Sequence, residues 1–163
     1  MFKAIPTLIY TLTLLLFASC GRNTNDVADS MDGHNSNDTT GIENLGESFV
    51  AAWNQHNAKA IADLWTVDGD FLSPWASTDL IKGREAIEKY FSEEYKTMLK
   101  DASIELAINN VHFIDPDTAF TEANFTISGI NIAGVQAVPF NDQAIFVMVQ
   151  QDGKWKIKIA RPY

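Results

Sequence analysis

The chain has 163 residues, 46% of them hydrophobic, with ten phenylalanines, four tryptophans and a formal net charge of −9. That balance argues against nucleic acid as a partner, because phosphate binding requires clustered Lys and Arg. The single cysteine, Cys20, excludes an intrachain disulfide, so a domain of this size outside the cytosol would hold together by core burial alone.

Residues Met1–Cys20 carry one early positive charge, Lys3, then an apolar stretch through Phe17 and two small residues before the cysteine. This is the layout of a secretory signal peptide. A spanning helix needs about 20 apolar residues, and this run is shorter and interrupted by Pro6 and several threonines. Because the pattern ends in cysteine, Leu16-Phe17-Ala18-Ser19-Cys20 resembles a bacterial lipoprotein lipobox. The resemblance implies a signal peptide over residues 1–19, cleavage before Cys20, and acylation of its thiol and new amino terminus by palmitate-type chains. The expected location is a bacterial cell envelope, with the membrane as partner through the lipid anchor. Gly21 follows the cysteine where an aspartate would resemble an inner-membrane retention signal, so a host with two membranes would place the protein on the periplasmic face of the outer one.

Residues 20–41 are dense in Asn, Asp, Ser, Thr and Gly and nearly devoid of large apolar side chains. Such a segment cannot bury enough surface to offset its conformational entropy, and the sequence predicts a disordered tether. His34 stands here without the partners a metal site needs. From Ile42 the pattern changes, and residues 42–163 read as one domain. Ile42, Leu45, Phe49 and Trp53 recur at helical spacing through about Gln55. Ala58–Trp65 repeats this with Ile61, Leu64 and Trp65 as a second short helix. Asp70–Trp75 reads as extended. A loop through Lys82-Gly83 leads to a third helix, Arg84–Leu99, with Ile87, Phe91, Tyr95 and Met98 on one side.

After Lys100 the period becomes two, the mark of half-buried strands. Ser103–Ile114, Thr118–Ser128, Gln143–Gln151 and Lys154–Ala160 are the predicted strands, with a Gly-interrupted stretch before Phe140. In the last strand Trp155, Ile157 and Ile159 are expected on one face and Lys154, Lys156 and Lys158 on the other. Asp152-Gly153 is a hairpin signal. Helices first and an antiparallel sheet afterwards give an α+β class.

Four segments in order carry a family resemblance. Phe49–Asn57 with Ala60–Trp65 resembles a helix pair ending "AW-N"; Asp68–Phe71 before Pro74 resembles a first strand; Lys82–Ile87 resembles a "G-R-x-A-I" helix start; and Gly153–Ile157 resembles a final strand. Together they are similar to the SnoaL-like, nuclear-transport-factor-2-like superfamily. The resemblance implies a cone-shaped domain, its three helices packed on a strongly bent antiparallel sheet around an apolar pocket. Members include ketosteroid isomerase-like enzymes, cyclases and dehydratases as well as binding and assembly modules, so fold alone does not decide chemistry.

Isomerase chemistry of that kind needs a carboxylate base, a tyrosine and a protonated acid. The resemblance places Phe49 and Ser73 where the tyrosine and the base would stand, and neither side chain can serve. Asp142 matches the protonated acid. His112, in a strand, is the other candidate acid or base. Glu122, Asn124 and Thr126 share one strand face that lies either in the pocket or outside it. Expected pocket liners are Phe49, Trp53, Trp75, Tyr90, Phe113, Asn124, Asp142 and Phe146, aromatics for burial and two polar groups for orientation. Asp68 and Asp70 make no metal site, no phosphate loop or nucleophile motif is present, and no cofactor is expected. The reading is a lipid-anchored binder of a small apolar or amphipathic ligand. The alternatives are an isomerase, dehydratase or cyclase using Asp142 or His112, and a homodimerising or protein-interaction module without a ligand.

Overall fold

Helix α1, Thr40–Asn54, buries Ile42, Leu45, Phe49, Ala52 and Trp53, the stripe that their spacing predicts. The structure is a computed structural model and describes residues 39–75 and 80–163. Cys20, the leader before it and the tether through residue 38 lie outside the described residues. Every described residue belongs to one compact unit, His34–Tyr163.

Helix α2 is short, Ala58–Ala62, and its N-cap Asn57 accepts from the Ala60 amide at 3.0 Å. The sequence predicts that this helix reaches Trp65. It stops at Ala62, and Trp65 opens strand β1, Trp65–Leu72. Tertiary partners take the carbonyls that a longer helix would have bonded. Lys156 Nζ donates to the Asp63 carbonyl at 2.6 Å, the Ile157 amide to Leu64 at 2.8 Å, and Arg84 Nη2 to Trp65 at 2.6 Å. Strand β2, Leu80–Lys82, pairs with β1 where a loop is expected. Gly83 then caps α3, Arg84–Glu94, at φ +88, a conformation that strains any side chain with a Cβ. The predicted helix runs on to Leu99; α3 ends at Glu94 and the chain continues in turns, with Leu99 still fully buried.

Six strands follow: β3 (Ser103–Asp115), β4 (Thr118–Ser128), β5 (Asn131–Ile132), β6 (Val135–Gln136), β7 (Phe140–Gln151) and β8 (Lys154–Pro162). The main sheet has the order β2-β1-β8-β7-β4-β3, antiparallel except for the parallel β1–β8 pair, while β5 and β6 form a separate hairpin in the Gly-interrupted stretch. Asp152 and Gly153 both take positive φ, 51° and 71°, as a tight turn matching strand twist requires. The result is an α+β unit with helices against a strongly curved, mainly antiparallel sheet.

The expected facing of the last strand holds only to Ile157. Met148 pairs with Ile157 but Val147 pairs with Ile159, so Lys158 is the extra residue of a bulge. Beyond it the parity reverses: Ala160, 3% exposed, turns inward opposite Phe146, and Ile159 turns outward with Val147. This reversal matters for the site, because it brings a methyl group rather than an isoleucine to the inner face.

Candidate functional site

An apolar cavity lies between α1 and the inner faces of β1, β3, β4, β7 and β8. Its floor follows from side-chain size. Ala144 on β7 and Ala160 on β8 are small and inward-facing, while Phe49, Trp53, Trp65, Phe71, Phe125 and Phe146 stand around them. About 40 Å³ is open to the centre of a water molecule, room for about one to three waters. Among the described residues Arg161 is the one ionisable residue bordering it. Its guanidinium is already engaged, donating through Nη2 to Asp70 Oδ1 and through Nη1 to the Ala160 carbonyl at 2.7 Å.

The aromatic wall is continuous. The Phe49 ring lies 5.8 Å from Trp53, 6.0 Å from Trp65 and 6.3 Å from Phe146. Trp65 continues to Phe71 at 6.1 Å, and Trp53 to Phe91 at 5.2 Å. Such pairs add to the area that each ring buries. The indole Nε1 atoms of Trp53 and Trp65 are covered rather than open to the cavity, and neither has a hydrogen-bond partner among the described residues.

Of the residues that the sequence singles out, Phe49, Trp53 and Phe146 line this cavity together. The other five do not. Trp75 is half-buried against Phe140, 4.9 Å away. Tyr90 stands behind Phe71, at 5.5 Å between rings, and its hydroxyl lies 2.7 Å from Ser73 Oγ. Burial pushes the Tyr90 phenol up to about 12. Phe113 packs on Trp155, at 6.0 Å, well along β3 from the Ile104 and Leu106 that do line the cavity.

Asn124 turns outward. It is exposed, donating to Asn109 Oδ1 at 3.3 Å and accepting from Gln143 at 3.0 Å, while Thr126 donates to Asn141 at 2.7 Å. The polar face of β4 is therefore the outer one, and buried Ala123, Phe125 and Ile127 form the inner one. His112 is also exposed and outward, its Nε2 2.9 Å from Asn110. Asp142 pairs in register with Phe125 and shares the inner row of β7 with Ala144 and Phe146. It is half-exposed, and its carboxylate accepts from the Gln143 amide at 3.0 Å. Ser73 is 2% exposed. Among the described residues no three His, Cys, Asp or Glu side chains gather where a metal could be held.

Sequence reasoning misses much of the wall. Trp65 reads as a helix end, and the inward turn of Ala160 depends on a bulge that no residue type announces. Alternation sets Phe125 and Ile127 on the face opposite Asn124, but residue types alone do not tell which of the two faces is the inner one.

With this geometry in place, a family model described as SnoaL-like domain matches residues 47–157. No curated protein matches the chain. Among solved structures, a protein named as a scytalone dehydratase from Novosphingobium aromaticivorans is similar at 19% identity, with 82% of this chain and 89% of that one covered and a TM-score of 0.66. A ketosteroid isomerase-like protein from Erwinia carotovora atroseptica is similar at 19% identity, covering 73% and 89%, with a TM-score of 0.61. A protein from Xanthomonas campestris, named as a calcium/calmodulin dependent protein kinase II association domain, is similar at 25% identity, covering 74% and 83%, with a TM-score of 0.60. These likenesses share a fold across names that span a dehydratase, an isomerase-like protein and an association domain.

Proposed function

The chain belongs to the SnoaL-like domain family, and from that premise we propose that it binds a small apolar or amphipathic ligand in the cavity under α1. In this reading an acyl anchor on Cys20 and the tether before α1 hold the domain in a bacterial cell envelope; the helix takes in Thr40 and Gly41, which the sequence assigns to the tether.

The observation that carries the binding reading is the wall itself. Aromatic and aliphatic side chains surround a space next to which, among the described residues, Arg161 is the one ionisable group, and that group is already paired. Such a wall gains affinity by desolvating an apolar ligand. Proton transfer needs a titratable group within hydrogen-bond reach of the reacting atom, and the phenyl ring of Phe49 and the tied-up hydroxyl of Ser73 offer none. One observation favours the isomerase- or dehydratase-type alternative: Asp142 stands in the inner row of β7, two residues from Ala144 of the wall.

Native mass spectrometry of the full chain, extracted from membranes of a bacterial host, tests both halves. The reading expects a chain beginning at Cys20 with covalent lipid mass, and a separate non-covalent small molecule. An unmodified Cys20 would remove the anchor. A ligand-free protein with no thermal shift across a panel of apolar metabolites would remove the binder.

A further inference from the structure

No polar surface of the protein faces the cavity under α1, so an amphipathic ligand must leave its polar end outside it. Along α1 the structure offers a way out. Toward the start of the helix lies a second apolar space of about 10 Å³, bordered by Leu45, Gly46, Ile108 and Met148. Beyond it an open groove of about 790 Å³ runs between the flank of α1 and the edge strand β3. Each space shares walls with the next. Phe49, Leu106 and Phe146 border both the cavity and the middle space, and Gly46, Leu106 and Ile108 border both the middle space and the groove. Leu106 is half-buried and borders all three, so a change of its rotamer is the smallest motion that joins them. Gly46 stands inside α1 at no positive φ, where alanine would favour the helix. Its missing side chain leaves a notch between helix and strand: a Cβ there would lie 3.0 Å from Ile108 Cδ1.

We infer that the ligand is an amphiphile with one unbranched chain, which runs from the cavity through the middle space and carries an uncharged polar end into the groove. The inference rests on the ligand-binding reading above and names the ligand class of that same site. Slenderness follows from the middle space, which holds no more than about one water; a single methylene chain threads it and a ring does not. Length follows from the helix: about 15 Å of α1 separates Trp53 at the cavity from Glu43 at the groove, the reach of about ten to twelve extended carbons. The groove supplies what the cavity lacks, the carboxamides of Asn109 and Asn110 beside open water. Glu43 and Glu47 border it as well, and among the described residues no Lys or Arg does. A carboxylate or phosphate end would meet like charge there with nothing to oppose it.

The test uses the full chain, labelled with 13C at its methyl groups, held in lipid nanodiscs and titrated with 1-decanol, with decanoate at pH 9, and with the compact hydrocarbon methylenecyclohexane. The free probe is measured in an ultrafiltrate. Three sets of methyls report on the three spaces: Ile104 and Ala144 on the cavity, Leu45 and Met148 on the middle space, Val50 and Val111 on the groove. Decanol should move all three sets with one saturation curve, and methylenecyclohexane the first set alone. Nuclear Overhauser effects should join the CH2OH protons of decanol to Val50 or Val111 and its terminal methyl to Ala144. Decanoate should bind severalfold more weakly than decanol at equal free concentration. Gly46→Leu fills the notch and should weaken decanol at least about tenfold, since excluding two methylenes from the apolar path already costs that much; the wild-type reporters decide the matter if that variant does not fold. Decanol shifts confined to the cavity set or to the groove set overturn the spanning chain, as do Overhauser contacts from the CH2OH protons to Ala144. Decanoate bound as tightly as decanol overturns the uncharged end. In each of those cases methylenecyclohexane at the cavity methyls leaves the apolar-binder reading standing, whereas no binding of any probe overturns that reading and this inference with it.

Discussion

The phenol of Tyr90 meets the hydroxyl of Ser73 at 2.7 Å, and the Trp75 amide donates to the same Ser73 oxygen at 3.3 Å. Ser73 lies between Leu72 and Pro74, both in the cavity wall, so this hydroxyl pair sets the path of the chain where β1 leaves the sheet. The pair is structural in its consequences, and its titration is the handle on it.

Burial raises the Tyr90 phenol from an ordinary value of 10.0 to about 12. A phenol with a folded value above its unfolded one keeps its proton longer in the folded state. Its contribution is therefore full below pH 10 and declines as pH rises from there toward 12. Wild-type stability should fall by roughly 1–3 kcal/mol across that window from this residue. Urea midpoints at pH 9 and pH 11.5 should show a steeper drop for wild type than for Tyr90→Phe. Tyr95, also raised by burial, keeps some slope in the variant. Equal slopes would contradict the assignment.

Asn54 closes α1 against an open sheet edge. Its Nδ2 donates to the Ile104 carbonyl at 3.1 Å and its Oδ1 accepts from the Ile104 amide at 2.8 Å, so one side chain replaces a neighbouring strand at the start of edge strand β3. Asn54→Ala and Asn54→Asp should each cost about 1–3 kcal/mol, since both strip the donor from that carbonyl. Amide hydrogen exchange separates them: the Ile104 amide should lose protection with alanine and keep it with aspartate, whose carboxylate still accepts.

Gly129 sits at φ +79 where an added Cβ would collide with the Asp101 carbonyl. Gly134, at φ +87, has open space around it. Gly129→Ala should therefore cost about 2–4 kcal/mol in a thermal or urea melt, against about 1 kcal/mol for Gly134→Ala, which meets backbone strain alone. Similar losses would mean that the Asp101 contact is not a constraint.

Much of this fold is legible in the sequence because local pattern and tertiary demand agree there. The Ile42, Leu45, Phe49, Trp53 stripe is helical and is buried as a helix; Thr118–Ser128 alternates and is a strand over those same residues. Asp152-Gly153 carries its own turn chemistry. Legibility fails where a partner distant in sequence decides. Leu64 and Trp65 extend the α2 pattern, but Ile157 and Arg84 capture their carbonyls and make a strand instead. Lys158 looks like one more outward lysine, yet the β7 register makes it a bulge and reverses the facing of everything after it.

The site shows the same division. Phe49, Trp53 and Phe146 are found because large aromatics on amphipathic faces tend to be interior. Ala144 and Ala160 are missed because a cavity is made by what is small, and a small residue gives no signal until its neighbours are known. Asn124 is a polar residue on an alternating strand, and only the sheet's curvature tells the inner face from the outer.

The central claim, that a small apolar ligand enters the space between α1 and the sheet, is tested most directly by methyl NMR of the full chain in nanodiscs titrated with methylenecyclohexane. The account predicts saturable shifts confined to methyls of the wall, those of Leu72, Ile104, Leu106, Ile127, Ala144 and Ala160, and their loss in Ala144→Phe, whose ring would fill the space. Shifts at the exposed Ile132, Val135 and Val138 with the wall methyls unmoved would contradict it, as would no saturable shift at all.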